Sequence, residues 1–145
     1  MTTIPKASPA SETERTRAVA LELLRLIGDG EPALIAGLFA ERVDWSIAEN
    51  PTVPWIRPRT TRADVADHFR ELAAGQRPDA AHSSVDVVLA DGKQAVVTGR
   101  LAGTVTATGK TFRSPFAMRL TVEDGLISGY RIYEDSLAIA AACAD

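Results

Sequence analysis

Cysteine is almost missing from this chain. Cys143 is the only one in 145 residues, so neither an internal disulfide nor a cysteine-based metal site can be assembled from it. Histidine is nearly as scarce: His68 and His82 stand alone, without an H-x-x-x-H spacing, and no metal is expected. No apolar run approaches the roughly 20 residues that a bilayer span needs. The Pro/Ser/Thr-rich start also lacks the apolar segment of a secretory signal. The expectation is a soluble, cytoplasmic protein with no membrane partner. A basic excess is missing too: the formal net charge is -3. Nucleic acid is held by basic surfaces that release counterions from phosphates, so it is not an expected partner. Gly99, Gly103, Gly109 and Gly125 punctuate strands and turns instead of opening a helix, so no phosphate cradle is expected. No G-x-S-x-G elbow occurs either. What these absences leave is cofactor-free chemistry, or binding, on a small molecule.

What is present is ordinary globular material, with 46% hydrophobic and 24% charged residues. The length suits a single domain, expected over 11–145 behind a flexible arm at 1–10. Ser11 and Glu14 make an S-x-x-E capping box before Val19, Leu23, Leu26 and Ile27 at helical spacing, with Gly28 as the stop. Pro32 suits the first turn of a short second helix running toward Phe39. Val43, Trp45 and Ile47 then alternate as a strand that Glu49 continues on the same face. Pro51, Pro54 and Pro58 impose a loop over 50–59. Thr61 and Asp64 start a third helix, whose Val65, His68, Phe69 and Leu72 share one face up to Gly75. Strands over 83–89, 94–107, 111–122 and 126–133 follow, separated by glycine-containing turns, and make an antiparallel meander. A short helix over 136–142 closes the chain.

The order helix, helix, strand, helix, four-stranded meander resembles the nuclear-transport-factor-2-like superfamily. The residues carrying the likeness are Gly30-Glu31 leading to Leu38-Phe39-Ala40-Glu41, Thr108-Gly109-Lys110, Asp124-Gly125-Leu126-Ile127 and Tyr133-Glu134-Asp135. They resemble its SnoaL-like polyketide cyclase and ketosteroid-isomerase-related branches over roughly residues 12–142. The resemblance implies an α+β fold: a curved antiparallel sheet wrapped as a cone around three N-terminal helices, with a pocket inside. It also implies an acid/base enzyme working without a cofactor, by isomerisation, cyclisation or epoxide opening on an apolar molecule. A non-catalytic ligand-binding or dimerising module of the same fold is the alternative. Ketosteroid isomerases use a carboxylate base, a Tyr and a protonated Asp. Registered on Phe39, Pro115 and Gly125, this chain has Ile47, Leu23 and Ala117 in those places, and none exchanges a proton. In SnoaL-like cyclases an acidic residue near the end of the last strand acts as acid/base, which points to Glu134 or to Asp135; neighbours on a strand face opposite ways, so only one can enter the cone.

The candidate catalytic residues are therefore His68, Glu134 and Glu49. His68 titrates near neutrality and could pair with either carboxylate, or it could be a core-edge histidine satisfied by a backbone carbonyl. Glu49 could overhang the pocket mouth or end the strand in solvent. Glu134 could face inward or pair with Arg100 or Arg131. The candidate substrate contacts are Trp55, Arg100, Tyr130, Trp45, Ile47 and Ala117. Trp45 could equally be core. Trp55, in the proline loop, could be a lid or stacking surface, and Arg57 and Arg59 beside it a solvated rim or an anion trap. In the same register Ala117 and Arg119 point inward, which turns Phe116, Met118 and Leu120 outward and calls for a homodimer through the sheet to cover them. A shift by one residue would instead turn those three toward the pocket.

Overall fold

The computed structural model describes residues 9–145, and their side chains from residue 11 onward. Most of the expected arm, residues 1–8, lies outside the described residues. The elements in chain order are α1 (Pro9–Asp29), α2 (Pro32–Ala36), β1 (Phe39–Ile47), α3 (Arg62–Gly75), β2 (Gln76–Pro78), a 3-10 turn (Ala80–His82), β3 (Ser84–Asp91), β4 (Gln94–Val105), β5 (Thr111–Glu123), β6 (Leu126–Glu134) and α4 (Ser136–Cys143). Helix α1 thus starts two residues before the Ser11 box. Helix α2 stops at Ala36, and Phe39 opens β1 instead of closing α2. Thr61 and Asp64 cap α3 as expected: the Thr61 hydroxyl accepts from the Asp64 N–H, and the Asp64 carboxylate accepts from the Thr61 N–H.

The six strands form one curled sheet in the order β1-β6-β5-β4-β2, with β3 beside the other part of β4. Strands β3 to β6 form the expected antiparallel meander. β1 joins β6 in parallel, so the sheet is mixed. The connection between these two strands contains the whole meander, which is why they can run the same way. The fold is α+β, with the sheet curled around the N-terminal helices.

α1 buries Thr16, Ala20, Leu23 and Leu26 on one face. Its N-terminal half is clasped to the β3–β4 turn, where the Thr16 hydroxyl donates to the Gly92 carbonyl (2.6 Å) and the Thr13 hydroxyl accepts from the Gly92 N–H (2.8 Å). α3 buries Val65, His68 and Phe69. These helical faces meet Val43, Val97, Phe116, Met118, Leu120, Val122, Ile127 and Tyr130 of the sheet in the main core. A second cluster of Val53, Trp55, Val105, Phe112, Ile139 and Ala142 ties the proline loop and α4 to the far ends of β4 and β5.

The register of β5 corrects the sequence reading. Phe112, Ser114, Phe116, Met118, Leu120 and Val122 are buried along its inner side, while Arg113, Pro115, Ala117 and Arg119 lie on the outer side. Local alternation of large apolar side chains decides which face packs, and a one-residue slip would have put all six in water. Ala117 is therefore not a pocket residue. It stands in an outward row with Val87, Thr98 and Tyr133, paired strand to strand. With Phe116, Met118 and Leu120 inside, the argument that those three require a covering homodimer loses its premise. The conclusion about the steroid-isomerase residues survives the shift, because none of the six inner side chains on β5 is a carboxylic acid.

Candidate functional site

Two adjacent strands set the site. β1 and β6 run side by side with Trp45 opposite Tyr130 and Ile47 opposite Ile132. Alternation turns Trp45 and Ile47 on one strand, and Tyr130, Ile132 and Glu134 on the other, toward the inside of the curl. Glu134 is level with the inward Phe116 of β5. The next residue, Asp135, turns away: its carboxylate accepts from the Ala138 N–H as the N-cap of α4, and its own N–H donates to the Ser114 hydroxyl (2.8 Å). Of the two acidic candidates, Glu134 is the inward one.

The deep part of the curl is filled by aromatic rings. Trp45 stacks on Tyr130 with centroids 4.3 Å apart and planes at 17°. Phe39, Phe69 and His68 pack around them, and the His68 ring lies 4.7 Å from Trp45 in an edge-on arrangement. His68 is only 3% exposed. Its Nδ1 lies 3.1 Å from the Trp55 carbonyl. A carbonyl can only accept, so the imidazole carries its proton on Nδ1. Burial pushes the imidazole down to about 4, a shift that the Trp55 hydrogen bond opposes and the nearby Arg59 guanidinium adds to. His68 is consequently neutral at pH 7.

Glu134 is shifted the other way. Burial raises its carboxyl to about 7, and among the described residues it has no hydrogen-bond or ion-pair partner to hold the charged form. Neither Arg100 nor Arg131 pairs with it. Arg100 is exposed, and Arg131 lies on the outer face with its guanidinium on Asp44 at 3.0 Å. Tyr130 is held well above the usual phenol range, mainly by burial and further by the Glu134 charge.

The pocket lies at the mouth, above the aromatic stack. It encloses about 300 Å³ and is lined by Trp45, Ile47, Glu49, Asn50, Pro51, Ile56, Arg57 and Pro58. One wall is the end of β1 with the residues after it, and the other is the proline loop. The loop is anchored at both ends: the Asn50 amide donates to the Ser136 carbonyl at the start of α4 (2.9 Å), and Arg59 reaches α3. Neither His68 nor Glu134 is among the lining residues. The structure thus brings Trp45, Ile47 and Glu49 to one pocket, with Tyr130 beneath Trp45 and Glu134 on the neighbouring strand.

Trp55 and Arg100 are placed elsewhere than the sequence suggested. Trp55 is 5% exposed and packs in the second cluster. Its ring lies so close to Gly75 that a Cβ there would come within 2.6 Å of Trp55 Cε3. The loop tryptophan is a structural anchor, and Ile56, Arg57 and Pro58 supply the wall that it was expected to provide. Arg100 points to the outer face because its neighbours Gly99 and Leu101 take the inward places on β4.

Sequence reasoning missed Arg59. Instead of lying on a solvated rim it is 6% exposed, pairs with the Glu71 carboxylate of α3 and donates from Nη2 to the Trp55 carbonyl (3.3 Å). Arg57 Nη1 also approaches Glu71, at 3.5 Å. Glu71, half-buried, lies one turn beyond His68 on α3, so the Trp55 carbonyl, His68, Arg59 and Glu71 form one seam between loop and helix. Nothing in the local sequence distinguishes Arg59 from its exposed neighbour. Among the described residues no group of three or more His, Cys, Asp and Glu could hold a metal ion, and no helix is long and apolar enough to cross a membrane.

The model of the SnoaL-like domain family matches residues 20–130, and the chain belongs to that family. Solved structures share the fold. An NTF2-like protein from Burkholderia xenovorans LB400 is 21% identical, with a TM-score of 0.82 over 96% of this chain and 100% of that one. An LEH-like epoxide hydrolase from M. tuberculosis is 12% identical, with a TM-score of 0.70 over 91% of each chain. A protein with a ketosteroid isomerase-like fold from Catenulispora acidiphila DSM 44928, solved in complex with trimethylamine, is 15% identical, with a TM-score of 0.64 over 78% of this chain and 82% of that one. No protein of curated function matches the sequence.

Proposed function

We propose that the protein is a cofactor-independent acid/base enzyme acting on a small, mostly apolar molecule that enters at the mouth pocket and extends past its lining to Glu134 on the neighbouring strand, with Glu134 as the proton-transferring group. The observation that carries this reading is the state of Glu134. It is a carboxyl on the inner side of the strand end, without a cationic partner, and burial raises it to about 7. A carboxyl poised there is present in both forms at neutral pH, and efficient general acid/base catalysis needs a group whose pKa lies near the operating pH. Structural carboxylates, by contrast, usually have a partner that lowers them.

His68 is given a narrower role than a proton-sharing partner of Glu134. An imidazole pushed down to about 4 is a weak base, and its Nδ1–H is committed to Trp55. It fixes the edge of Trp45, which floors the pocket, and so acts as a positioning residue. Isomerisation and epoxide opening both fit one carboxyl that gives or takes a proton.

The test is turnover of a panel of small cyclic enones and epoxides by the wild-type protein and by Glu134→Gln. The proposal expects turnover whose rate follows a single ionisation near pH 7, lost in the variant. Turnover that persists in Glu134→Gln at every pH would remove the assignment. The second reading, a non-catalytic binding module, is favoured by the filled interior of the curl. It expects saturable binding with no turnover by either protein.

A second copy of the chain is proposed as a partner on the outer sheet face. There Val87, Thr98, Ala117 and Tyr133 stand in a row, with Tyr133 56% and Leu89 61% exposed. Light scattering of the wild type and of Leu89→Glu tests it. A dimer mass that falls to monomer in the variant supports the proposal, and a wild-type monomer at micromolar concentration removes it.

A further inference from the structure

We propose that the mouth pocket selects a molecule bearing a cationic nitrogen, an amine or quaternary ammonium on a small apolar body. This rests on the reading that the mouth pocket is where the ligand binds, and it is independent of the proton transfer assigned to Glu134.

The lining carries two full charges of opposite sign, and they are not equally available. Arg57 is occupied: its Nε donates to the Pro54 carbonyl at 3.1 Å and its Nη1 faces Glu71 at 3.5 Å. Glu49, at the other wall, makes no hydrogen bond or ion pair among the described residues. An incoming ligand therefore meets a carboxylate that no side chain pairs, beside a guanidinium whose Nε and Nη1 are already directed at Pro54 and Glu71. The remaining lining works against an anion. Pro51 and Pro58 bring no N–H, and one N–H of the Asn50 amide is used on the Ser136 carbonyl.

The floor points the same way. Trp45, whose indole is stacked on Tyr130 from beneath, lines the pocket together with Ile47 and Ile56. An indole attracts a cation through its ring quadrupole, and more so than phenyl rings do. Apolar walls then accept the body that carries the charge. A carboxylate at the rim above an indole floor thus discriminates by charge, whereas an apolar pocket alone would discriminate only by size.

Three probes with a common benzyl body test this: benzylammonium, benzyl alcohol and phenylacetate, titrated at pH 7 into the uniformly 15N-labelled protein. The readouts are the Trp45 indole N–H and the backbone amides of Glu49 and Asn50. Benzylammonium should saturate these shifts at about one tenth of the benzyl alcohol concentration, the sum of one cation–π contact and one exposed ion pair. Phenylacetate should leave them unmoved. Glu49→Gln removes the ion pair and leaves the cation–π contact, so it should bring benzylammonium to within about threefold of benzyl alcohol. Raising the salt concentration on the wild type should weaken benzylammonium alone, which needs no variant.

Phenylacetate binding as well as benzylammonium, a preference unchanged by both Glu49→Gln and salt, or no localised shift with any probe would each overturn the proposal. The two readings fail separately. A Glu134 that titrates as an ordinary carboxyl leaves the amine preference standing. Turnover of neutral substrates through Glu134 without an amine preference removes this proposal alone.

Discussion

Replacing Glu134 by Gln should change how stability depends on pH more than it changes stability at any one pH. In the folded protein burial raises the carboxyl from its ordinary 4.5 to about 7. Between those values the folded state holds a proton that the unfolded chain has released. The favourable contribution is therefore complete below pH 4.5 and is lost as pH rises through 7. Each pKa unit corresponds to 1.36 kcal/mol, so the shift amounts to roughly 3 kcal/mol, and partial exposure of the side chain reduces this to about 2. His68 works in the opposite sense. Its pKa is lowered from 6.5 to about 4, so its contribution is present above pH 6.5 and is lost as pH falls through 4. Across pH 4.5 to 6.5 the two slopes oppose each other, and the wild type should be nearly flat. Glu134→Gln has no proton to lose, so it should expose the His68 slope and gain about 2 kcal/mol relative to wild type between pH 4 and pH 8. Denaturant unfolding at half-unit pH steps measures this difference directly, and other carboxylates cancel in it. A wild-type to variant difference that does not vary with pH would refute the reasoning.

Other substitutions test the placement of individual side chains. Met118→Lys should destabilise by about 3 kcal/mol or prevent folding, because Met118 lies in the main core, whereas Ala117→Lys on the outer face should change stability by less than about 0.5 kcal/mol; equal effects in thermal melts would contradict the β5 register. Gly75→Ala pushes a Cβ into the Trp55 ring and should cost about 1–3 kcal/mol, with faster amide exchange over the proline loop; unchanged exchange would mean that Trp55 does not anchor the loop. Arg59→Met leaves Glu71 to Arg57 alone and should cost about 2–3 kcal/mol. The same change removes a cation that depresses His68, so the imidazole should titrate higher by NMR, and an unmoved or lower value would count against the seam.

Much of the fold was legible because several local signals agreed. The Thr61/Asp64 capping box, the face of Val65, His68 and Phe69, and the glycine turns at 91–92, 109 and 124–125 all formed as the chain suggested. At Asp124-Gly125 both residues take positive φ, 52° and 77°, a conformation that glycine adopts without strain and aspartate tolerates. The parallel pairing of β1 with β6 could not be read, since register between strands more than 80 residues apart is settled by packing and not by turn chemistry. On β5 the alternation of large apolar residues favours Phe116, Met118 and Leu120 facing inward, as they do, whereas the register of the resembled family places Ala117 and Arg119 there.

The site was less legible. Glu134 was a candidate through the family resemblance, which left it open against Asp135, and the role of Asp135 as the α4 cap separates the two. Trp55 and Arg59 were misplaced because burial in a proline loop follows from which elements close over it. Here α4, the ends of β4 and β5, and Gly75 make that enclosure. A loop residue carries no periodicity to announce this.

The account rests most heavily on the ionisation of Glu134. Its side-chain carboxyl can be followed by 13C NMR from pH 3 to pH 9 in the wild-type protein, with Glu134→Gln identifying the resonance. The account predicts a midpoint near 7, well separated from the exposed glutamates. A midpoint at the ordinary carboxylate value would contradict it, leaving a solvated strand-end carboxylate and a binding pocket without its proposed acid/base group.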